Sequence, residues 1–340
     1  MGVKQPRRRA TDRGNDGRHG TGIKSIPVSV VPVSVVVVTD AKGLAALGRF
    51  DGQIKTVLFE EAKISAARNL GVPHAAGDVV GFIDDDALPE PTWLSYLTVP
   101  FGREDVAAVG GFVIGRNGIS FHWKAWVLDA NGAATNIVVD EVEPTVLRLL
   151  AGQAVKTEGT NMAIWRDVLV AVGGDLACHF YLDETDLNMR LAQAGYLIAI
   201  APLVQVHHGF VASTWRRSDR VPSDLFDIGA SWAVFQRKFI PKKSPGEHWR
   251  DVVKTEHKRL IGYMVSGGLE PCEVRRLTKR LREGYEVGQS RQASKAQIGD
   301  RTKLQFLQFP SITRNSVLKA VRSIHAAAVR EKACKQVEQN

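Results

Sequence analysis

Cysteine is scarce: the 340 residues hold three, Cys178, Cys272 and Cys334, widely spaced and with no C-x-x-C pair. An odd count at such spacing argues against a disulfide framework or a cysteine zinc site and fits a reducing cytoplasm. Long apolar runs are lacking too. The longest, "IPVSVVPVSVVVV", is broken by proline and too short to span a bilayer. It follows a leader carrying Arg7, Arg8 and Arg9, an atypical pattern for an export signal, and it reads better as a buried strand. No glycine-rich P-loop for phosphates occurs.

What is present points to one large core with an extension, since 44% of the residues are hydrophobic. The net charge of +9 is unevenly spread: residues 1–20 carry +4, residues 21–209 carry −8 and residues 210–340 carry +13. An acidic body suits a bound divalent cation. Basic ends suit phosphate, anionic lipid or an acidic partner.

Residues 1–26 lack periodicity and read as a disordered basic leader. From residue 27 to 212 the pattern is α/β. "VSVVVVT" is a β-branched run suited to a strand buried on both faces, and "IKTVLF" follows a turn. "AKISAARNLGV" predicts a helix and "DVVGFIDDD" the next strand. Thr92 is placed to cap a helix beginning "TWLSYL". "VAAVGGFVIG" predicts a strand, "NMAIWRDVLVAVGG" and "ETDLNMRLAQAG" two helices, and "YLIAIAPLVQVHH" a further strand. Strands alternating with helices imply a largely parallel sheet with its ligand site at the strands' carboxyl ends. Residues 213–340 read as a basic, mainly helical region. Val274, Leu277, Leu281 and Tyr285 recur at helical spacing, as do Leu318, Val321, Ile324 and Ala328. Such faces pack on the main domain or dock on a membrane surface or partner.

Three carboxylates, Asp84, Asp85 and Asp86, end the apolar run "VVGFI". Like charges repel, so they are either a solvated capping loop or ligands for one hard cation, Mg²⁺ or Mn²⁺, that removes their repulsion. Asp183, Glu184 and Asp186 crowd a predicted helix start, where the helix dipole favours negative charge, and His207 and His208 end a strand. Together they supply a general base and an imidazole ligand.

The series "ISAARNLGVPHAAGDVVGFIDDDALPEPTWL", "EGTNMAIWRDVLVAVGG" and "FYLDETDLNMRLAQAGYLIAIAPLVQVHH" closely resembles the family-2 glycosyltransferases, inverting enzymes of the GT-A fold. The resemblance spans about Val33 to Gly209. It implies a GT-A-like transferase domain over 27–212, a nucleoside-diphosphate sugar donor and a divalent metal. Asp84 and Asp86 resemble the D-x-D pair, with Asp86 the direct metal ligand and Asp84 nearer the ribose or metal; Asp85 lies on the donor side. Glu184 matches the family's base within the Asp183–Glu184 pair, although Asp is usual there. His207 or His208 resembles the metal-binding histidine. Arg68 and Asn69 resemble the nucleotide-side residues of A-R-N-x-G, while Gly159, Thr160 and Asn161 resemble the loop facing donor or acceptor.

One departure stands out. The family opens with two strands before A-R-N, and only 28 residues separate Asp40 from Arg68. The strand ending at Asp40 therefore resembles the second, with Asp40 contacting the base and the first strand missing. The alternative reading is a non-catalytic nucleotide-sugar binder that lost activity with that strand. Few aromatics interleave the basic residues, which disfavours a nucleic-acid partner. A nucleotidyltransferase would release pyrophosphate instead of a nucleoside diphosphate. Phe121, Trp123 and Trp126 either line an acceptor groove or pack in the core. The acceptor, whether glycan, lipid-linked or protein, is not legible. A cytoplasmic location is expected, with peripheral contact at the inner membrane face through the C-terminal helices left open.

Overall fold

The computed structural model describes residues 31–175, 178–240, 244–292, 295–296, 298–299 and 305–310. The basic leader, the second amphipathic stretch at 316–332 and Cys334 lie outside the described residues.

The β-branched run becomes strand β1 (Val36–Thr39), followed by helix α1 (Ala41–Ala46) and strand β2 (Lys55–Leu58), which pairs with β1 in parallel. Helix α2 (Ile64–Gly71), strands β3 (Val79–Phe82) and β4 (Ala87–Pro89), helix α3 (Trp93–Thr98) and strand β5 (Val106–Ile114) come next. Short strands follow: β6 (Phe121–Trp123), β7 (Trp126–Leu128), β8 (Ala134–Asn136), β9 (Thr145–Leu147) and β10 (Ala154–Lys156). Strand β11 (Met162–Trp165) runs straight into helix α4 (Arg166–Val172), with β12 (Gly174–Asp175) after it. Helix α5 (Asp183–Gln193), strand β13 (Leu197–His208), helices α6 (Phe226–Phe239), α7 (Pro245–Val265) and α8 (Pro271–Ser290), and strand β14 (Lys295–Ala296) complete the order.

The α/β class stands, with helices around a central sheet and a helical C-terminal region. Its strand directions need correction. The seven-stranded sheet runs β3-β11-β5-β13-β4, with β6 on β5 and β9 on β13. Within it, among the described residues, β5 and β13 pair in parallel and the other pairings are antiparallel. The cause is β11, which enters antiparallel between β3 and β5. Strands β3, β5 and β13 still point the same way, so their carboxyl ends share one edge.

Two further expectations change. Met162–Trp165 is strand, not the start of a helix, because an apolar run of four between two other strands has no polar face to show a period. Two strands, not one, precede α2. The strand ending at Asp40 is the first of a parallel pair, and the spacing to Arg68 is short because α1 has six residues. Thr92 sits at the N-cap of α3 without a side-chain capping bond.

All nine residues of β5 are buried, as a central strand covered on both faces requires. One face packs Ala108, Phe112, Ile164 and Ile200; the other packs Val109, Val113, Ala163 and Val206 against Trp93 and Leu97. Val274, Leu277 and Leu281 of α8 are buried against Val221, Leu225, Leu260 and Leu269, so that amphipathic face is covered by protein. Helix α6 joins the two regions through Phe235, which is fully buried with Leu128, Leu182 and Met189 and contributes about 2 kcal/mol by area. Among the described residues, no helix is long and apolar enough to cross a membrane.

Candidate active site

The shared carboxyl edge gathers most of the polar residues singled out from the sequence. Beyond β3, Asp84 and Asp86 meet His208 from the end of β13, and their ligand atoms all lie within 4.8 Å of one another. His208 Nε2 is 3.0 Å from Asp86 Oδ1 and 3.9 Å from Asp84 Oδ2. The remaining oxygens are occupied. Asp86 Oδ2 accepts from the Val211 backbone N–H at 2.9 Å, and Asp84 Oδ1 accepts from Arg68 at 3.1 Å. Each carboxylate thus turns one oxygen toward the imidazole. A hard set of two carboxylates with one imidazole fits Mg²⁺ or Mn²⁺.

The two histidines separate by strand parity. His207 points to the opposite side of β13, where its Nε2 lies 2.6 Å from Glu90 Oε1. His207 therefore stands apart from the acidic pair, and Asp85 is exposed to solvent between its two neighbours.

Arg68 connects this cluster to the second acidic pair. Its guanidinium donates to Asp84 at 3.1 Å and to Asp183 at 2.6 Å. Gly159 makes room for it, since a Cβ there would sit 2.4 Å from a guanidinium nitrogen. Asp183 and Glu184 open α5, where the helix dipole favours anions. The preceding Leu182 holds a left-handed φ of 64°, costing about 1 kcal/mol, and its buried side chain packs with Met189 and Phe235. Burial, then the neighbouring Glu184 charge, push the Asp183 carboxyl well above the usual carboxylate range despite Arg68. Burial acts on Glu184 the same way, but a hydrogen bond from Asp183 and the charges of Lys156 and Arg68 outweigh it and hold Glu184 below that range. Of the two, Glu184 is therefore the readier to ionise and Asp183 the readier to hold a proton.

Other residues take less direct places. Asn161 is fully buried: its amide donates to the Phe112 and Val204 carbonyls at 2.8 and 2.9 Å and accepts from Trp93 at 2.7 Å. It staples β5, β13 and α3, and no polar atom remains for a ligand. Gly111 permits this, because a Cβ there would meet the Val204 oxygen at 2.1 Å. Thr160 is buried with its hydroxyl unpartnered, and the Asn69 amide nitrogen is also buried without a partner. Asp40 ends β1 and caps α1 by accepting from Gly43 at 2.7 Å. Asp186 is buried in a pair with Arg190 at 2.7 Å and Lys238 at 2.5 Å. Phe121 packs edge-on against Phe112, while Trp123 stacks on Trp126 with centroids 4.7 Å apart.

The sequence reading misses Lys156 and Glu158, which join the row beyond Glu184. Lys156 Nζ is 2.9 Å from Glu158 and 4.0 Å from Glu184. Burial first, with the Glu184 and Asp84 charges adding, pushes the Glu158 carboxyl up to about 7 against the pull of Lys156. The available signal was a lysine ending an otherwise apolar strand, just before "EGTN".

Fold and site together define an α/β protein with a carboxylate–imidazole donor set beside a second acidic pair. Residues 35–144 match the family model described as Glycosyl transferase family 2. The match includes Asp84 and Asp86 and ends before Asp183, Glu184 and His208. A Glucosyl-dolichyl phosphate glucuronosyltransferase of Haloferax volcanii is 30% identical over 127 residues, covering 34% of this chain. The chain spans 35% of the length of that curated relative. Similar solved structures include GalNAc-T7 with UDP, GalNAc and Mn²⁺ (TM-score 0.45, 13% identity, 60% of this chain and 41% of that one). S. aureus TarS 1-349 is another, with TM-score 0.38, 11% identity and coverage of 75% and 80%. Superpositions this loose carry no argument about function.

Proposed function

We propose that the chain transfers a sugar from a nucleoside-diphosphate sugar to an acceptor hydroxyl, with inversion and assisted by a divalent metal. The observation that carries this reading is the row Arg68 makes, with the Asp84–Asp86–His208 cluster on one side and the Asp183–Glu184 pair on the other. Asp84, Asp86 and His208 would hold Mg²⁺ or Mn²⁺, which supplies positive charge against the departing diphosphate. Glu184, ionised at neutral pH, takes the acceptor hydroxyl's proton as that oxygen bonds to the anomeric carbon. The bond from that carbon to the diphosphate breaks on the opposite face. Asp183, hydrogen-bonded to Glu184 and held by Arg68, keeps the base oriented. Asp40, Asn69 and the Gly159–Thr160 turn stand around the donor side.

Donor hydrolysis tests the reading. UDP-glucuronate, UDP-N-acetylgalactosamine, UDP-glucose and GDP-mannose are supplied with Mn²⁺ to wild type, Asp86→Ala and Glu184→Ala. Both variants should lose turnover, and Asp86→Ala should also bind donor more weakly. Equal rates in all three would end the assignment. Nucleotide-sugar binding by wild type without hydrolysis would favour the non-catalytic binder, a reading that the two strands before α2 deprive of its original motive.

A further inference from the structure

We propose that Lys156 is a positioning residue for Glu184: its ammonium, shared with Glu158 and seated on the Trp123 ring, fixes the Glu184 carboxylate at the acceptor side of the site. The inference rests on the reading of Glu184 as the base.

The geometry builds from β10 outward. Lys156 lies directly opposite Trp126 in the antiparallel β7–β10 pair. Trp123 stacks on Trp126 at an interplanar angle of 15°, and the Lys156 ammonium sits 4.3 Å from the Trp123 ring centroid. A cation over an indole face is attracted by the ring's quadrupole, so the stack fixes where the ammonium can be. From there Lys156 reaches Glu158 at 2.9 Å and Glu184 at 4.0 Å, with only 16% of its side chain exposed.

Charge balance gives that arrangement a purpose. Arg68, the other cation of the row, is engaged with Asp84 and Asp183, so Lys156 is the cation in contact range of Glu184. Glu158 completes the device. When Glu184 takes the acceptor's proton and becomes neutral, the ammonium keeps a carboxylate partner and no unpaired charge is left in a half-buried site.

The groups facing Glu184 are Asp183 on its own helix, Arg68 on α2, Lys156 and Glu158 at the end of β10, and Tyr181 in the preceding loop. Full-length protein labelled with carboxyl-¹³C glutamate reports Glu184 directly, its resonance being assigned by its loss in Glu184→Gln. Lys156→Met should raise the Glu184 titration midpoint by about one unit or more, as expected on removing an opposite charge at this range. Lys156→Arg should restore it. Because Lys156→Met leaves Glu158 without its cation, the double variant Lys156→Met/Glu158→Gln is titrated alongside and should show the same rise. In UDP-sugar hydrolysis with Mn²⁺, the acid limb should move to higher pH by the same amount. Turnover would then fall about tenfold below that limb and recover above it. An unchanged Glu184 midpoint in both the single and double variants overturns this inference while leaving the base assignment standing. Hydrolysis by Glu184→Gln at the wild-type rate removes the base assignment, and this inference with it.

Discussion

Replacing Arg68 with Met isolates the joint between the two halves of the site. Methionine keeps most of the apolar stem beside Phe82 and removes the guanidinium that now holds Asp183 at 2.6 Å and Asp84 at 3.1 Å. The Asp183 side chain is 9% exposed, so its bond counts near the upper part of the charge-assisted range, about 2–3 kcal/mol. Asp84 is 26% exposed and its contact longer, so solvent screening reduces it to about 1 kcal/mol or less. Against these stands the cost of burying the guanidinium itself, leaving a net loss of roughly 2–3 kcal/mol at pH 7. The pH dependence has a definite sign. Burial and Glu184 already raise the folded-state Asp183 carboxyl above its unfolded value, so stability falls as pH rises through the window between the two. Loss of Arg68 raises the folded value further and widens that window. The deficit should therefore be smaller at pH 5 than at pH 7. Urea unfolding of both proteins at the two pH values measures it. A deficit below about 0.5 kcal/mol, or one independent of pH, would refute the account of Arg68 as the counter-charge to a buried acidic pair.

Four other outcomes are expected. His208→Ala should reduce the Mn²⁺-induced rise in melting temperature at least severalfold, whereas His207→Ala, which loses a contact with Glu90, should leave it intact. Asn161→Ala strands two carbonyls and an indole N–H in the core and should cost about 3 kcal/mol in urea unfolding. Gly284→Ala places a methyl 1.8 Å from the Phe226 carbonyl where α8 crosses α6, and should cost about 3 kcal/mol or prevent folding. The helical Gly262→Ala, with nothing within 4 Å, should instead stabilise by about 0.5–1 kcal/mol.

Much of the site was legible because its charges interrupt apolar runs. Asp84 and Asp86 close β3, and His208 closes β13, so each stands out against the strand before it. Arg68 and Asp183 were legible as candidates, but their contact was not, since it joins residues 115 positions apart. Lys156 and Glu158 acquire meaning only once β10 pairs with β7 and brings the tryptophan stack alongside. The fold was hardest to read where tertiary contacts overrule local pattern. Met162–Trp165 shares its apolar period with the helix after it, and the boundary is set by Arg166, which donates to the Val72, Ala75 and Gly77 carbonyls far back in the chain. Asn161 had the composition of a ligand-facing loop and the position of a core staple, a distinction that rests on the Trp93 and Val204 contacts.

Strand β13 loses step with β5 between Ala201 and Gln205, where three residues on one side oppose none on the other. Alternation along a strand has only two phases, so an odd excess inverts every side chain beyond it. The three unpaired residues absorb that inversion, and Gln205, Val206 and His207 resume pairing opposite Phe112, Val113 and Ile114. Which imidazole faces Asp86 is thus decided by how the last four residues of β13 are clamped between β5 and β4, and not by parity counted from the strand's start.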